Sequence, residues 1–146
     1  GLTSENLEED VWGVAGLVLG LGNCVGAMYR AGMYNAVLNV KALLISWIPH
    51  PTEVTTMSKD HEILVSVGSC LAVPIVMSMC QRFELTDDAD LEHLLSCYKE
   101  LISELLSIKR FDTFHLSLLM SACLGAGSLV GVVLNEGLHS LKIEHI

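Results

Sequence analysis

Three stretches of this chain contain no Asp, Glu, Lys or Arg: Val11 to Tyr29, Ile63 to Gln81, and Thr113 to Asn135. Each is long enough for a helix of five turns or more. Helices with no polar face must be covered on every side, by protein or by lipid. Two classes remain, an unusually apolar helical domain or a membrane protein. Composition agrees, since 51% of the 146 residues are hydrophobic and 17% charged, against about 25% charged in an ordinary soluble domain. So much apolar surface excludes disorder, because its burial can offset chain entropy. Twelve Gly without a triplet period, three Pro and five scattered Cys exclude collagen-like, low-complexity and disulfide-scaffold chains.

The segments between these runs have a different character. From Asp87 to Ser107, Leu91, Leu94, Leu95, Tyr98, Leu101, Ile102 and Leu105 recur at spacings of three and four, while Glu92, Lys99, Glu100 and Glu104 occupy the opposite side. That pattern predicts an amphipathic helix with one stripe to bury. Thr86 or Asp87 can cap its start, and Lys109 and Arg110 follow its end, where the helix dipole favours cations. Met33 to Ile48 reads similarly and stops at Pro49 and Pro51. Apolar and amphipathic helices therefore alternate: 8–30 then 33–48, 59–83 then 87–107, and 113–135 then a start at 138, with Gly32 and Gly137 placed as C-cap glycines. The expectation is one all-α domain over 1–146, made of hairpins at 8–48, 59–107 and 113–146. With Gly1 at one end and Ile146 in mid-pattern, the chain reads as a piece of something longer. No basic stretch precedes an apolar one to form a secretory signal.

The hairpins also repeat in wording. Leu19-Gly20-Leu21-Gly22-Asn23-Cys24-Val25-Gly26 is echoed by Leu124-Gly125-Ala126-Gly127-Ser128-Leu129-Val130-Gly131, each followed at the same interval by another glycine, Gly32 or Gly137. The middle run holds a weaker copy, Gly68-Ser69-Cys70-Leu71-Ala72. A unit of two helices recurring along a chain is the mark of a HEAT- or armadillo-like α-solenoid. Gly20, Gly22, Gly26, Gly68, Ala72, Gly125, Gly127 and Gly131 are accordingly expected to let helix axes approach closely. Trp12, Trp47, Met28, Met33, Met77, Met79 and Met120 are expected in the core, and the odd set of five cysteines as free, mostly buried thiols in a reducing compartment.

Chemical motifs fare poorly. Gly20, Gly22 and Gly26 imitate a dinucleotide loop, but no acid lies about twenty residues on, and the spacing returns at Gly125, Gly127 and Gly131, where a second such fold has no room. His93 and Cys97 stand four apart on one helix, and two ligands do not make a metal site. Asp87, Asp88, Asp90 and Glu92 lack the glycine and distal glutamate of an EF-hand. His115 has no partner visible in sequence, and no nucleophile elbow or phosphate loop occurs. No catalytic residue, cofactor or metal is expected. A formal charge of -9, with eight scattered Lys and Arg, argues against direct contact with nucleic acid.

Three membrane spans would place Arg30, Lys41, Lys59 and Lys142 on one side and Arg82, Lys99, Lys109 and Arg110 on the other. That is no positive-inside bias. The soluble helical stack is the preferred expectation and the three-span protein the alternative.

One segment adds a resemblance. Glu8-Glu9-Asp10-Val11-Trp12-Gly13-Val14-Ala15-Gly16-Leu17-Val18-Leu19-Gly20-Leu21, Tyr29-Arg30-Ala31-Gly32 and Leu43-Leu44-Ile45-Ser46-Trp47-Ile48-Pro49 look like the C-terminal region of the focadhesin family, which includes the plant RESURRECTION protein. The likeness is strongest over residues 7–50. It implies a large cytoplasmic, non-enzymatic protein of HEAT-like repeats. The family is associated with focal adhesions and with maintenance of the superkiller helicase complex, which serves the cytoplasmic RNA exosome. Partners are then other proteins, and the resemblance carries over no site residue. The amphipathic pattern itself makes Glu92, Lys99, Glu100 and Glu104 the candidate partner face, which the three glutamates would make acidic and suited to basic partners.

Overall fold

In a computed structural model of the chain, the backbone is described for residues 4–57, 60–85 and 88–144, and the side chains for 12–57, 62–85 and 89–135. All regular structure among them is helical: α1 (Ser4–Asn23), α2 (Val25–Arg30), α3 (Tyr34–Ser46), a 3-10 turn at Pro51–Glu53, α4 (Asp60–Arg82), α5 (Asp88–Ser107) and α6 (Thr113–Glu144). The first apolar run is interrupted once, at Cys24. There the Cys24 N–H lies 3.2 Å from both the Gly20 and Leu21 carbonyls before α2 resumes. The last run does not end near 135 as expected. α6 continues through Gly137 to Glu144, so the separate helix predicted from 138 is absent. Gly137 stands inside a helix here, at the cost of its low propensity, because a glycine ends a helix only when the chain turns there.

Turn chemistry explains the other boundaries. Gly32 has φ +76°, with its N–H on the Tyr29 carbonyl and the Met33 N–H on Met28, the paired bonds that close a Schellman C-cap. α4 ends identically, except that Glu84, at φ 59°, occupies the left-handed position. Its N–H reaches the Gln81 carbonyl and that of Leu85 reaches Cys80 at 2.8 Å. At the start of α6 the Asp112 carboxylate accepts the His115 N–H at 2.9 Å, while the His115 Nδ1 accepts the Asp112 N–H at 3.3 Å. This is a capping box with histidine in the usual glutamate place, and it supplies the partner for His115. The capping residues expected for α5, Thr86 and Asp87, fall outside the described residues.

α4 is the centre of the molecule, flanked along its length by α1 and α6. Contact order fixes the directions. Gly68 meets Ala15 and Val18, Gly22 meets Ala72 and Val76, and Gly26 meets Met79, so residue numbers rise together and α1 runs parallel to α4. Likewise Gly125 meets Cys70, and the Gln81 amide reaches the Val132 carbonyl at 3.4 Å, so α6 is parallel to α4 as well. α5 packs chiefly on α6 and opposes it in direction, with Tyr98 beside Gly125 and Glu104 near His115. α3 packs on α4 and α2, and runs alongside α5, with Lys41 4.0 Å from Asp90 and Ile45 near Leu94. Three parallel helices thus make one layer, and α3 and α5 return in a second. The core lies between the layers, where Leu44, Leu64, Met77, Tyr98, Leu101, Leu105, Leu118 and Leu129 are fully buried.

A buried polar bond ties the layers together. Pro74, inside α4, has no N–H, so the Cys70 carbonyl lacks its helical donor. The Tyr98 hydroxyl donates to that carbonyl at 2.7 Å from across the core.

Candidate functional site

The eight expected packing positions divide. A Cβ at Gly22 would lie 2.9 Å from the Ala72 Cβ, one at Gly68 2.7 Å from the Ala15 carbonyl oxygen, and one at Gly125 2.8 Å from the Tyr98 ring, besides colliding with the Cys70 carbonyl. These three glycines and Ala72 bring the parallel helices together. Gly26 is in ordinary contact with Met79 at 3.6 Å. Gly20, Gly127 and Gly131 meet nothing within 4 Å. Close approach at those three is therefore not found within this chain. They lie on the outward faces of α1 and α6, which no other described helix covers.

The same reason corrects part of the expected core. Met77 is buried and Met28, Trp47 and Met79 are partly so, but Trp12, Met33 and Met120 are exposed. Cys70 and Cys80 are buried, Cys97 is half-buried, and Cys24 and Cys123 are exposed. Sequence periodicity identifies an apolar face but not whether a neighbour occupies it, and α1 and α6 are the layer's two edges.

On α5, Glu92, Lys99 and Glu100 are exposed and Glu104 is half-buried. Glu92 and Lys99 share one line along the helix. Glu100 leans toward a small notch with Ile48, His50 and Leu94, and Glu104 toward one with Lys109, Arg110 and His115. The face is thus mixed in charge, and it is less uniformly acidic than the three glutamates alone suggest.

The remaining reactive groups are subdued. Cys97 Sγ lies 3.8 Å from His93 Nε2, a nucleophile and base in name. Burial, and then the neighbouring Glu100 charge, push the Cys97 thiol up, which keeps it neutral and a poor nucleophile. Burial pushes the Cys70 thiol to about 12. The Tyr98 phenol is raised by burial and then by Cys70, which keeps it a hydrogen-bond donor. Among the described residues no group of three or more His, Cys, Asp or Glu is placed to hold a metal. A cleft of about 470 Å³ beside the 3-10 turn holds Trp47, Glu53, Met57, Glu62 and Ser66. The Ser66 hydroxyl is taken up by the Glu62 carbonyl of its own helix.

Sequence reasoning missed the Tyr98–Cys70 bond and the left-handed Glu84. A proline four residues after Cys70, inside an apolar helix, was the available signal for the first. The second had none, since glutamate does not announce a positive φ.

No protein-family model matches the chain, and comparison with curated proteins and with solved structures finds no match either.

Proposed function

We propose that this chain is a non-enzymatic scaffold segment of a HEAT-like helical-repeat protein, adding length to an α-solenoid and offering a surface to other proteins. The observation that supports it is the parallel layer of α1, α4 and α6 with α3 and α5 returning in a second layer. A structure that advances by translating one helix pair is what repeat proteins use to build extended binding surfaces. The resemblance over residues 7–50 supports a cytoplasmic setting, with partners at focal adhesions or in the superkiller complex. The open α5 face around Glu92 and Lys99 is the surface proposed for them.

A second reading has its own observation. Trp12–Arg30, Glu62–Arg82 and Thr113–Asn135 are long and apolar enough to cross a membrane. Because the three helices run parallel, each return would also have to cross. α3, with 13 residues, reaches only about 20 Å of the ~30 Å hydrocarbon core. α5 would carry Asp90, Glu92, Lys99, Glu100 and Glu104 through it. The scaffold reading avoids both costs. Detergent phase separation with circular dichroism tests the choice, the expected result being a helical protein in the aqueous phase. Recovery in the detergent phase overturns the reading. Titration with purified superkiller subunits tests the partner, and Glu92→Lys should then change the affinity.

A further inference from the structure

The cleft of about 470 Å³ beside the 3-10 turn plays no part in the scaffold reading, and its lining is sorted by chemistry. The floor is apolar, with Pro49 buried and Trp47, Met57 and Val65 half-buried. The rim carries the carboxylates of Glu53 and Glu62, both exposed. Three hydroxyls complete the lining, and each commits its proton to a carbonyl of its own segment. Ser46 donates to Leu43 at 2.6 Å, Thr56 to Glu53 at 2.9 Å and Ser66 to Glu62 at 3.1 Å. What remains on each oxygen is lone pairs. Among the described lining residues there is no Lys, Arg or His, so the Trp47 indole N–H is the one side-chain donor left against many acceptors. Ser69 stands three residues beyond Ser66 and four beyond Val65, fully buried, and its hydroxyl has no hydrogen-bond partner. Helical side chains lean toward the N-terminus of their helix, so Ser69 leans over the turn that brings Val65 and Ser66 to the cleft. A buried hydroxyl left unpaired is costly, and the cleft is the side from which a polar group can reach it.

We propose that this cleft takes an arginine side chain from a partner protein, the alkyl stem lying on Met57 and Val65 and the guanidinium meeting Trp47, Glu53 and Glu62. A site rich in acceptors calls for a ligand rich in donors, and the two carboxylates favour a cation. An apolar floor below a charged rim matches a long stem that ends in charge. Guanidinium suits the site better than ammonium, because five donors serve several separate acceptors while the flat group stacks on an indole. Four of the nine lining residues, Ser46, Glu53, Thr56 and Glu62, are exposed. So open a cleft does not enclose a free small molecule, of which about 70–90% is ordinarily buried, whereas a side chain held by a larger partner needs no enclosure. The net charge of -9 draws a basic partner from a distance. The cleft lies where α3 turns toward α4, at the helix ends, so continuing the layers past α1 or α6 leaves it accessible. The inference rests on the reading of this chain as a surface for other proteins.

Nuclear magnetic resonance of the full chain tests it, by following the two indole N–H signals while a blocked pentapeptide with a central arginine is added. The Trp47 signal should move to a plateau, and the Trp12 signal, outside the cleft, should stay in place. The response should weaken as salt rises, and should vanish when the peptide carries citrulline, which keeps the shape and loses the charge. A lysine peptide should bind more weakly. Glu53→Gln and Glu62→Gln should each weaken binding by up to about fivefold, and together abolish it, with circular dichroism unchanged. Citrulline binding equal to arginine, binding that survives the double substitution, or a Trp47 signal that never moves overturns the proposal. Lysine binding as tight as arginine overturns the choice of guanidinium. Spermine that moves Trp47 where the peptide does not also overturns the proposal, since the occupant is then a free polyamine. An arginine peptide that fails on a helical, aqueous-phase protein removes this site alone, whereas partition into detergent removes the scaffold reading with it.

Discussion

The Tyr98 hydroxyl donates to the Cys70 carbonyl at 2.7 Å, the oxygen that Pro74 deprives of its helical partner. Each participant depends on the others. Proline inside a buried helix leaves an acceptor without a donor, which is costly unless something replaces it. The replacement comes from α5, whose ring passes so close to α6 that only glycine fits at position 125. Three helices from two layers thereby meet at one polar bond deep in the core.

Tyr98→Phe keeps the ring and removes the donor, so it should destabilise the fold by about 1–3 kcal/mol, the range for stranding a buried acceptor. Pro74→Ala restores an N–H to Cys70 within α4. Combined with Tyr98→Phe it should therefore recover part of the loss, and a double-mutant cycle by urea denaturation should give a coupling well away from zero. Additive effects would mean that the carbonyl is satisfied some other way.

Glycines identical in sequence context should respond in opposite directions. Gly125→Ala drives a methyl into the Cys70 carbonyl and the Tyr98 ring and should cost about 1–3 kcal/mol by overpacking. Gly20→Ala and Gly127→Ala add a methyl to open space and should be neutral or stabilising by up to about 1 kcal/mol through helix propensity. Thermal melts in dilute solution, where molecules are apart, make the comparison.

The all-helical class, the eight helix boundaries expected between residues 30 and 113 to within two residues, and the tight approaches at Gly22, Gly68 and Gly125 were legible, because each leaves a local mark: period, cap or small residue. What the chain does not spell out is which side of a repeated motif is occupied. Gly125 and Gly127 differ by two positions and so point to opposite sides of α6, and both looked equally fit for packing. The half-buried Glu104 escaped for a similar reason, since the turn carrying Lys109 and Arg110 folds back beside it.

The two left-handed C-caps allow a paired test. Gly32→Ala places a Cβ at φ +76° and should cost about 1–2 kcal/mol. Glu84→Gly relieves the same strain at φ 59° and should stabilise by up to about 1 kcal/mol, the gain being trimmed by the greater freedom of glycine in the unfolded chain. Chemical denaturation of both variants checks the signs, and a loss of stability in Glu84→Gly would show that the Glu84 side chain has a role beyond the turn.

The thiols give the pH dependence. Burial holds Cys70 near 12, above its ordinary value of 9.0, and raises Cys80 and Tyr98 as well. Each group keeps its proton in the folded state at a pH where the unfolded chain has lost it. The stabilising difference is complete below pH 9 and is lost as pH rises toward the folded values, because the unfolded state then binds fewer protons. Unfolding midpoints should therefore fall steadily above about pH 9, and Cys70→Ala should flatten that fall relative to its own value at neutral pH. Alkylation followed by mass spectrometry gives an independent reading. Cys24 and Cys123 should be modified first, Cys97 more slowly, and Cys70 and Cys80 only as the protein opens. Rapid modification of Cys70 in native buffer would mean that α4 is not enclosed between α1 and α6.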